Sequence, residues 1–377
     1  MNISCITECA NCGACSNTCP TGAITTLESG LFYKPQADEK KCVDCGLCLE
    51  SCPKYRPMES PNVIGAYAVR HNDAAVICRS SSGGAFSALA EHVMEQGGVV
   101  FGAVFSKDFK KVVIDSTDAC DLDALRRSKY TESLVGSAFS SVKRHLEQGR
   151  KVLFCGTPCQ AAGLRAFLRQ DYPNLLICDI SCGGVSSHKM FSEYLDALEK
   201  RFRADVSGVN FRPKTFGWRK HAITVDFANG RRYQKLAVLD PYFSSFVFKR
   251  YSIRESCTSC SFSENHQSDI ILSDFWKYKQ IAQRDDDDTG ISLVLTNTPK
   301  GEAVINALRN VQLDPVPIED AKYNLKAHAC SETYYEKRAA FFQEYERSGF
   351  VKAGEKLCSA KGKTALKAHI REILKLK

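Results

Sequence analysis

The sequence predicts an α/β protein in three parts: a small cysteine-bound module, a mostly parallel sheet covered by helices, and a smaller β-rich part. Three observations predict it. Nine of the 19 cysteines lie before Pro53. From Val63 onward, strand and helix patterns alternate, and alternation of that kind builds a parallel sheet with helices on both faces. After residue 205 the strand candidates become short, with Asn229-Gly230 as a hairpin signal.

Bulk properties set the frame. A chain of 377 residues has room for two to three domains. Its 44% hydrophobic and 25% charged residues are ordinary for a soluble protein. The start, Met1-Asn2-Ile3-Ser4-Cys5, shows no basic stretch followed by an apolar one. No run reaches the ~18 apolar residues of a membrane span. The expected location is therefore cytoplasmic, where clustered cysteines stay reduced and hold metal. The formal charge of +8 counts each thiol as neutral. Two four-thiolate iron–sulfur clusters would lower it to about +4 and three to about +2. With no basic stretch interleaved with aromatics, nucleic acid is not an expected partner.

The first 60 residues read as loops and turns around cysteine. Cys9, Cys12, Cys15 and Cys19-Pro20 form one run, and Cys42, Cys45, Cys48 and Cys52-Pro53 another. Both fit C-x2-C-x2-C-x3-C-P, the two-cluster ferredoxin spacing in which the fourth cysteine serves the other cluster. Cys9, Cys12, Cys15 and Cys52 are therefore assigned to one 4Fe-4S cluster, and Cys42, Cys45, Cys48 and Cys19 to the second. Two-residue gaps wrap a turn of backbone around a cubane, and Gly13 and Gly46 allow that turn to pass close. Zinc is the competing metal, but its sites use two separated CxxC pairs and need no third and fourth cysteine with proline. Cys5 falls outside the pattern.

The segment Arg56 to Pro61 is a Pro-rich linker. Beyond it come strand Val63–Val69, helix Ala85–Gln96 closed by Gly97-Gly98, and strand Val99–Phe105. Helix Ser137–Gln148, strand Val152–Phe154, helix Ala161–Gln170, strand Leu175–Ile180 and helix Lys189–Arg201 continue the alternation. Val206–Arg212, Ile223–Ala228, Arg232–Leu236, Ile270–Ser273 and Ile291–Thr296 are the later strands. Domains are expected at 1–60, 61–340 and 341–377, the last a helical basic tail. Its final stretch, Ala365 to Lys377, is basic and amphipathic; contact with a membrane surface or a partner is one reading, and packing on its own domain or fraying is the expected one. Asp285 to Asp288 lacks the glutamate of a calcium loop at the twelfth position and reads as a solvated turn.

Four more cysteines stand out. Cys159 in Gly-Thr-Pro-Cys-Gln and Cys182 in Ser-Cys-Gly-Gly-Val each follow a strand and precede a helix. In a parallel sheet both emerge at the carboxyl edge, where ligand sites collect. Cys257 and Cys260 form a separate CxxC pair. Spacing leaves two readings open: one shared metal site, or two buried thiols beside a small zinc knuckle. Cys155 and Cys178 sit inside strands and read as small hydrophobes.

Ser81-Ser82-Gly83-Gly84, Gly156 through Gln160, Cys182-Gly-Gly-Val, the Cys257/Cys260 pair and Asp274-Phe275-Trp276, in this order, resemble the coenzyme F420 hydrogenase/dehydrogenase beta-subunit family. The resemblance spans about residues 1–300. It implies an iron–sulfur oxidoreductase with an α/β flavin domain that binds FAD. It also implies that Cys159, Cys182, Cys257 and Cys260 hold a third cluster beside the flavin. Ser81 to Gly84 before a helix supplies amides, hydroxyls and a helix dipole for a pyrophosphate. Lys129, Tyr130 and Ser133 lie in a matching stretch and are expected near phosphate or ring. Gly156 and Thr157 are expected beside the isoalloxazine. The chain departs from the family at Gly183, where histidine is usual, and at Ser273 and Lys277, where glycines are. No G-x-G-x-x-G follows a strand, so a nicotinamide-binding unit is not expected.

The expected function is electron transfer between an external carrier (ferredoxin or reduced coenzyme F420), the clusters and FAD, reducing a small organic substrate. A partner redox subunit is possible on this reading, and the rival is a non-catalytic relay subunit. No general acid is assigned.

Overall fold

The two cysteine runs adopt one backbone conformation twice. Asn11 and Asp44 both have φ of 55°, and Gly13 and Gly46 follow at 83° and 74°. These left-handed residues turn the chain into the short helices Ala14–Thr18 and Leu47–Glu50. Between the runs, β1 (Ile24–Ser29) and β2 (Phe32–Ala37) form an antiparallel hairpin. The computed structural model describes residues 2–118, 122–325 and 330–374.

The remaining strands are β3 (Gly65–His71), β4 (Val99–Phe105), β5 (Val112–Thr117), β6 (Ser133–Leu134), β7 (Val152–Gly156), β8 (Leu175–Ile180), β9 (Val206–Asn210), β10 (Ala222–Phe227), β11 (Arg232–Leu236), β12 (Ile270–Asp274), β13 (Ser292–Thr296) and β14 (Val311–Pro315). Nine of them make one sheet in the order β14-β3-β13-β12-β8-β7-β4-β5-β6. Its centre, β12-β8-β7-β4, is parallel. Antiparallel partners flank it, β13 on one side and β5 on the other. The sheet is thus mixed, with the parallel part where the sequence shows its β-α-β alternation. Although β3 runs parallel to this centre, it is separated from β12 by β13.

Helices cover both faces. Ala85–Met94 and Pro299–Ala307 bury Leu89, Val93 and Ile305 on one side. Ala138–Glu147 and Pro158–Leu168 bury Phe139, Val142 and Leu164 on the other. The short strands β11-β10-β9 form their own antiparallel sheet, packed on helix His188–Phe202 through Tyr194, Leu198, Ile223 and Val225. The boundary expected at 340/341 falls within helix Glu332–Ser348. Phe341 and Phe350 join the core of the β9–β11 part. Helix Gly362–Leu374 packs through Ala368 and leaves Leu366, Ile370, Ile373 and Leu374 exposed; 375–377 lie outside the described residues. No helix among the described residues is long and apolar enough to cross a membrane.

Candidate iron–sulfur and cofactor site

Because β7, β8 and β12 are parallel, the segments that follow them meet at one edge of the sheet. This puts Thr157 and Cys159, Ser181 and Cys182, and Asp274 side by side. The loop Ser81–Gly84 joins them, since Gly83 donates from its amide to Ser292 Oγ at 3.0 Å and Ser82 Oγ donates to the Ile291 carbonyl at 2.8 Å.

The first cysteine set lies around one cavity. Cys9, Cys12, Cys15 and Cys52 line it, and Ile3, Ile6 and Phe262 close it. Burial pushes the Cys15 thiol up to about 12, with Cys9 and Cys52 adding to it. Cys48 is buried, Cys45 exposed, and Cys19 and Cys42 lie between. Cys48 feels the Cys45 thiol. At Cys19, hydrogen bonds from Thr21 and the amides of Ala23 and Ile24 outweigh burial and lower the thiol.

Cys159, Cys182, Cys257 and Cys260 are mutual neighbours. Burial, then the charges of Cys257 and Cys260, holds the Cys159 thiol at about 12. Cys182 is pushed well above its ordinary value by burial and then by Cys257 and Cys159. Cys257 lies at about 11 through burial, against a lowering from the Val185 amide. Burial and their neighbours keep Cys159, Cys182 and Cys257 as thiols, and a cationic centre among them would favour the thiolates. Four thiols are the number and kind of donor that an iron–sulfur cubane takes, although among the described residues no three His, Cys, Asp or Glu side chains stand close enough to share a single metal ion.

The two regions touch. Gly163, on the helix that carries Cys159, faces Cys12 so closely that a Cβ there would lie 2.9 Å from the Cys12 carbonyl and 3.2 Å from its Sγ. Gly163→Leu is expected to lever the N-terminal module away, so that limited proteolysis in the 56–61 linker speeds up at least tenfold. An unchanged cleavage rate would show that the contact does not hold the module.

A buried polar joint that the sequence did not reveal locks the same interface. Arg254 pairs with Glu132 and donates to the Tyr33 carbonyl at 2.8 Å and the Cys9 carbonyl at 3.5 Å. Glu132 also holds His188 Nδ1 at 2.6 Å, and His188 stacks on Tyr33 with ring centroids 3.7 Å apart. Ser256 Oγ donates to the Cys9 carbonyl at 3.1 Å, and Ser187 Oγ to the Leu31 carbonyl at 2.5 Å.

At the end of β12, the Asp274-Phe275-Trp276 motif gains partners that its spacing did not show. Arg212 holds Asp274 by two bonds of 2.7 and 3.2 Å, and Trp218 Nε1 donates to the same carboxylate at 2.7 Å. Burial opposes the charge, yet Arg212 and Trp218 keep the Asp274 carboxyl below its ordinary range. Trp218 and Trp276 stack at 4.8 Å, with Arg212 over the Trp276 ring. His221 meets the Trp276 edge; burial, then Arg212, lowers its imidazole to about 4. Arg212 and Trp218 lie some sixty residues from Asp274 along the chain, so no local spacing joins them to the motif.

The residues expected to hold the cofactor are distributed as follows. Ser81 Oγ accepts from the Ser128 amide at 2.9 Å. Lys214, not one of the expected residues, donates to the Ile77 and Ser82 carbonyls at 2.6 and 2.7 Å, and burial lowers its ammonium to about 8. Lys129 donates to the Ala124 and Arg126 carbonyls, both at 2.7 Å; burial takes it to about 7. Tyr130 Oη accepts from Arg212 at 3.2 Å. Ser133 Oγ accepts from Gln160, whose side chain also caps the Thr157 amide. A Cβ at Gly156 would lie 3.0 Å from Gln160 Oε1 and Phe154.

The glycines of the loop have reasons of their own. A Cβ at Gly83 would lie 2.5 Å from the Val69 carbonyl, and Gly84 has φ of 92° beside His71. Yet among the described residues no side chain caps the helix that starts at Ala85, although Ala85 and Ser87 are buried. A buried helix start with open amides fits a bound phosphate, and FAD carries two. Of the departures, Ser273 Oγ accepts from Asn324 at 2.6 Å, and the Lys277 ammonium sits 4.6 Å over the Tyr323 ring. The turn 285–288 is crosslinked: Asp287 to Arg70 at 2.6 Å, and the Arg219 amide to Asp288 at 2.8 Å.

A cysteine module docked on the carboxyl edge of an α/β sheet, with a third cysteine set at the contact, is the plan of an iron–sulfur redox protein. Residues 8–55 match the 4Fe-4S dicluster domain. Residues 66–140 and 149–321 match the N- and C-terminal parts of the coenzyme F420 hydrogenase/dehydrogenase beta subunit. The chain belongs to this beta-subunit family of iron–sulfur oxidoreductases, with a 4Fe-4S dicluster domain at its N-terminal end. A coenzyme F420-dependent sulfite reductase from Methanocaldococcus jannaschii is 26% identical over 310 residues, 80% of this chain. The chain spans 46% of the length of that relative. A chain of the F420-reducing NiFe hydrogenase complex from Methanosarcina barkeri shares the fold, with a TM-score of 0.50 and 15% identity over 77% of this chain and 94% of that one.

Proposed function

We propose that the protein is an iron–sulfur flavoprotein oxidoreductase that carries electrons from an external one-electron donor through three 4Fe-4S clusters to FAD, where an anionic organic molecule is reduced. The observation that carries this reading is the contact of Cys12 with the helix of Cys159. It joins the N-terminal cysteines to the third set without an intervening gap. FAD, when bound, supplies the two-electron chemistry that clusters alone lack. Ser81, Ser82 and the amides before helix Ala85–Met94 are the phosphate cradle of this reading. Lys214 fixes that loop from behind. Arg212, ion-paired with Asp274, and the stacked Trp218 and Trp276 form a rigid aromatic wall at this edge. Gly183 in place of histidine removes a ring donor, which supports reduced ferredoxin rather than reduced coenzyme F420 as donor. The length of the sulfite reductase relative and the multi-subunit neighbour support a partner redox subunit or domain.

The test is an anaerobic holoprotein mixed rapidly with each donor while flavin absorbance is followed. Bleaching within turnover times, on the order of 1–1000 per second, is expected with reduced ferredoxin. Bleaching by reduced coenzyme F420 at that rate would transfer the donor role to it. Flavin-free protein that passes electrons only to another subunit would replace the reading by a relay. The cradle is tested at Ser81→Asp and Ser82→Asp, which add charge without the left-handed backbone demanded at Gly84. FAD affinity is expected to fall at least tenfold while module iron stays constant. Equal affinity would place the phosphates elsewhere.

A further inference from the structure

Two cysteines outside all three ligand sets face each other across the sheet. Cys155 on β7 and Cys178 on β8 are directly paired in the parallel register. Registered residues of parallel strands point to the same face, and both side chains join the cluster under helix Ala85–Met94. Adjacent strands run about 4.7–4.9 Å apart, and a disulfide spans Cα atoms about 4.4–6.8 Å apart. The bond therefore needs no change of register. Cys178 is fully buried while Cys155 is half-buried, so one thiol is reachable and the other is shielded.

We propose that Cys155 and Cys178 form a reversible dithiol/disulfide couple bridging β7 and β8, oxidised by low-molecular-mass disulfides. The Cys155 thiolate attacks one sulfur of R–S–S–R and forms a mixed disulfide; the first R–S⁻ leaves and takes up the proton from Cys155. The Cys178 thiol then attacks the Cys155 sulfur, releasing the second R–S⁻, which takes up the Cys178 proton. Two protein S–H bonds and one external S–S bond become one protein S–S bond and two R–SH. Two electrons pass from the cysteines to the external disulfide. The couple rests on neither the flavin nor the third cluster.

The experiment uses the full-length anaerobic holoprotein with oxidised glutathione as the probe, then acid quench, alkylation and trypsin. Cleavage after Lys151 and Arg165, and after Arg169 and Lys189, yields one peptide with Cys155 and Cys159 and another with Cys178 and Cys182. Fragment ions must therefore assign the link. The expected result is a Cys155–Cys178 bond at unchanged iron content, reversed by reduced glutathione. It should fall at least tenfold in Cys155→Ser and persist in Cys159→Ser. Alkylation of both thiols in the parent protein at every glutathione ratio, with iron intact, overturns the proposal without any variant. So does a link assigned to Cys159–Cys182.

Discussion

Alanine at Cys257 should cost the anaerobic holoprotein about four iron atoms out of about twelve, leaving about eight in the first 60 residues. The size of the loss follows from cubane chemistry. Removing one of four buried thiolates opens one iron corner of the cubane, and release of the whole core is the expected outcome; loss of about one iron would mean that three thiolates still hold a remnant. Cys257 is the informative position because it lies beside both Cys182 and Cys159 and outside the N-terminal module. Iron and acid-labile sulfide, measured together, check it. Unchanged iron would reduce the third set to four crowded thiols. Stoichiometric zinc without sulfide would remove the ferredoxin assignment as well.

Arg254→Met should have the largest structural effect of any single change at the interface between the module and the sheet. It leaves Glu132, 2% exposed, without its guanidinium partner. Breaking one side of a buried ion pair costs about 3–5 kcal/mol. At about 1.4 kcal/mol per factor of ten, local opening of the joint should rise more than 100-fold. Amide exchange across β1–β2 reads this directly, because the hairpin is tied to the joint at Leu31 and Tyr33. Glu132→Gln combined with Arg254→Met should recover part of the loss, as expected of coupled neighbours. Exchange within tenfold of the parent in the single variant would mean that apolar packing, not the ion pair, holds the module.

The contrast between these two sites shows what the sequence made legible. Ligand spacing within Cys9 to Cys19 and Cys42 to Cys52 is local, so the chemistry could be read from adjacent residues. The parallel centre was likewise visible, since β4 and β8 are short apolar runs between helices. The hairpin β1–β2 escaped notice because Pro35 and alternating polar residues weaken its pattern. The edge strand β14 and the next-to-edge strand β5 are half-exposed and were not among the expected strands. Arg254, Glu132 and His188 carry no spacing signal at all; their meeting depends on docking of the finished module. Cys155 and Cys178 were correctly placed inside strands, but only the register of β7 on β8 makes them neighbours.

The insertion of β13 between β3 and β12 has a consequence for how the chain reaches its native state. Gly65 pairs with Thr296, and Tyr67 with Pro315, so the first strand of the sheet waits for nearly the last. Contacts so distant in sequence are slow to form, because a long loop must close before they repay its entropy. During synthesis, β4, β7 and β8 can assemble with their helices while β3 still lacks both neighbours. The loop Ser81–Gly84 is shaped by Ile291 and Ser292 of the late strand and the residue before it. Competence to bind a cofactor there should therefore appear only after the chain beyond residue 296 has emerged, whereas the N-terminal cysteines can take up iron long before.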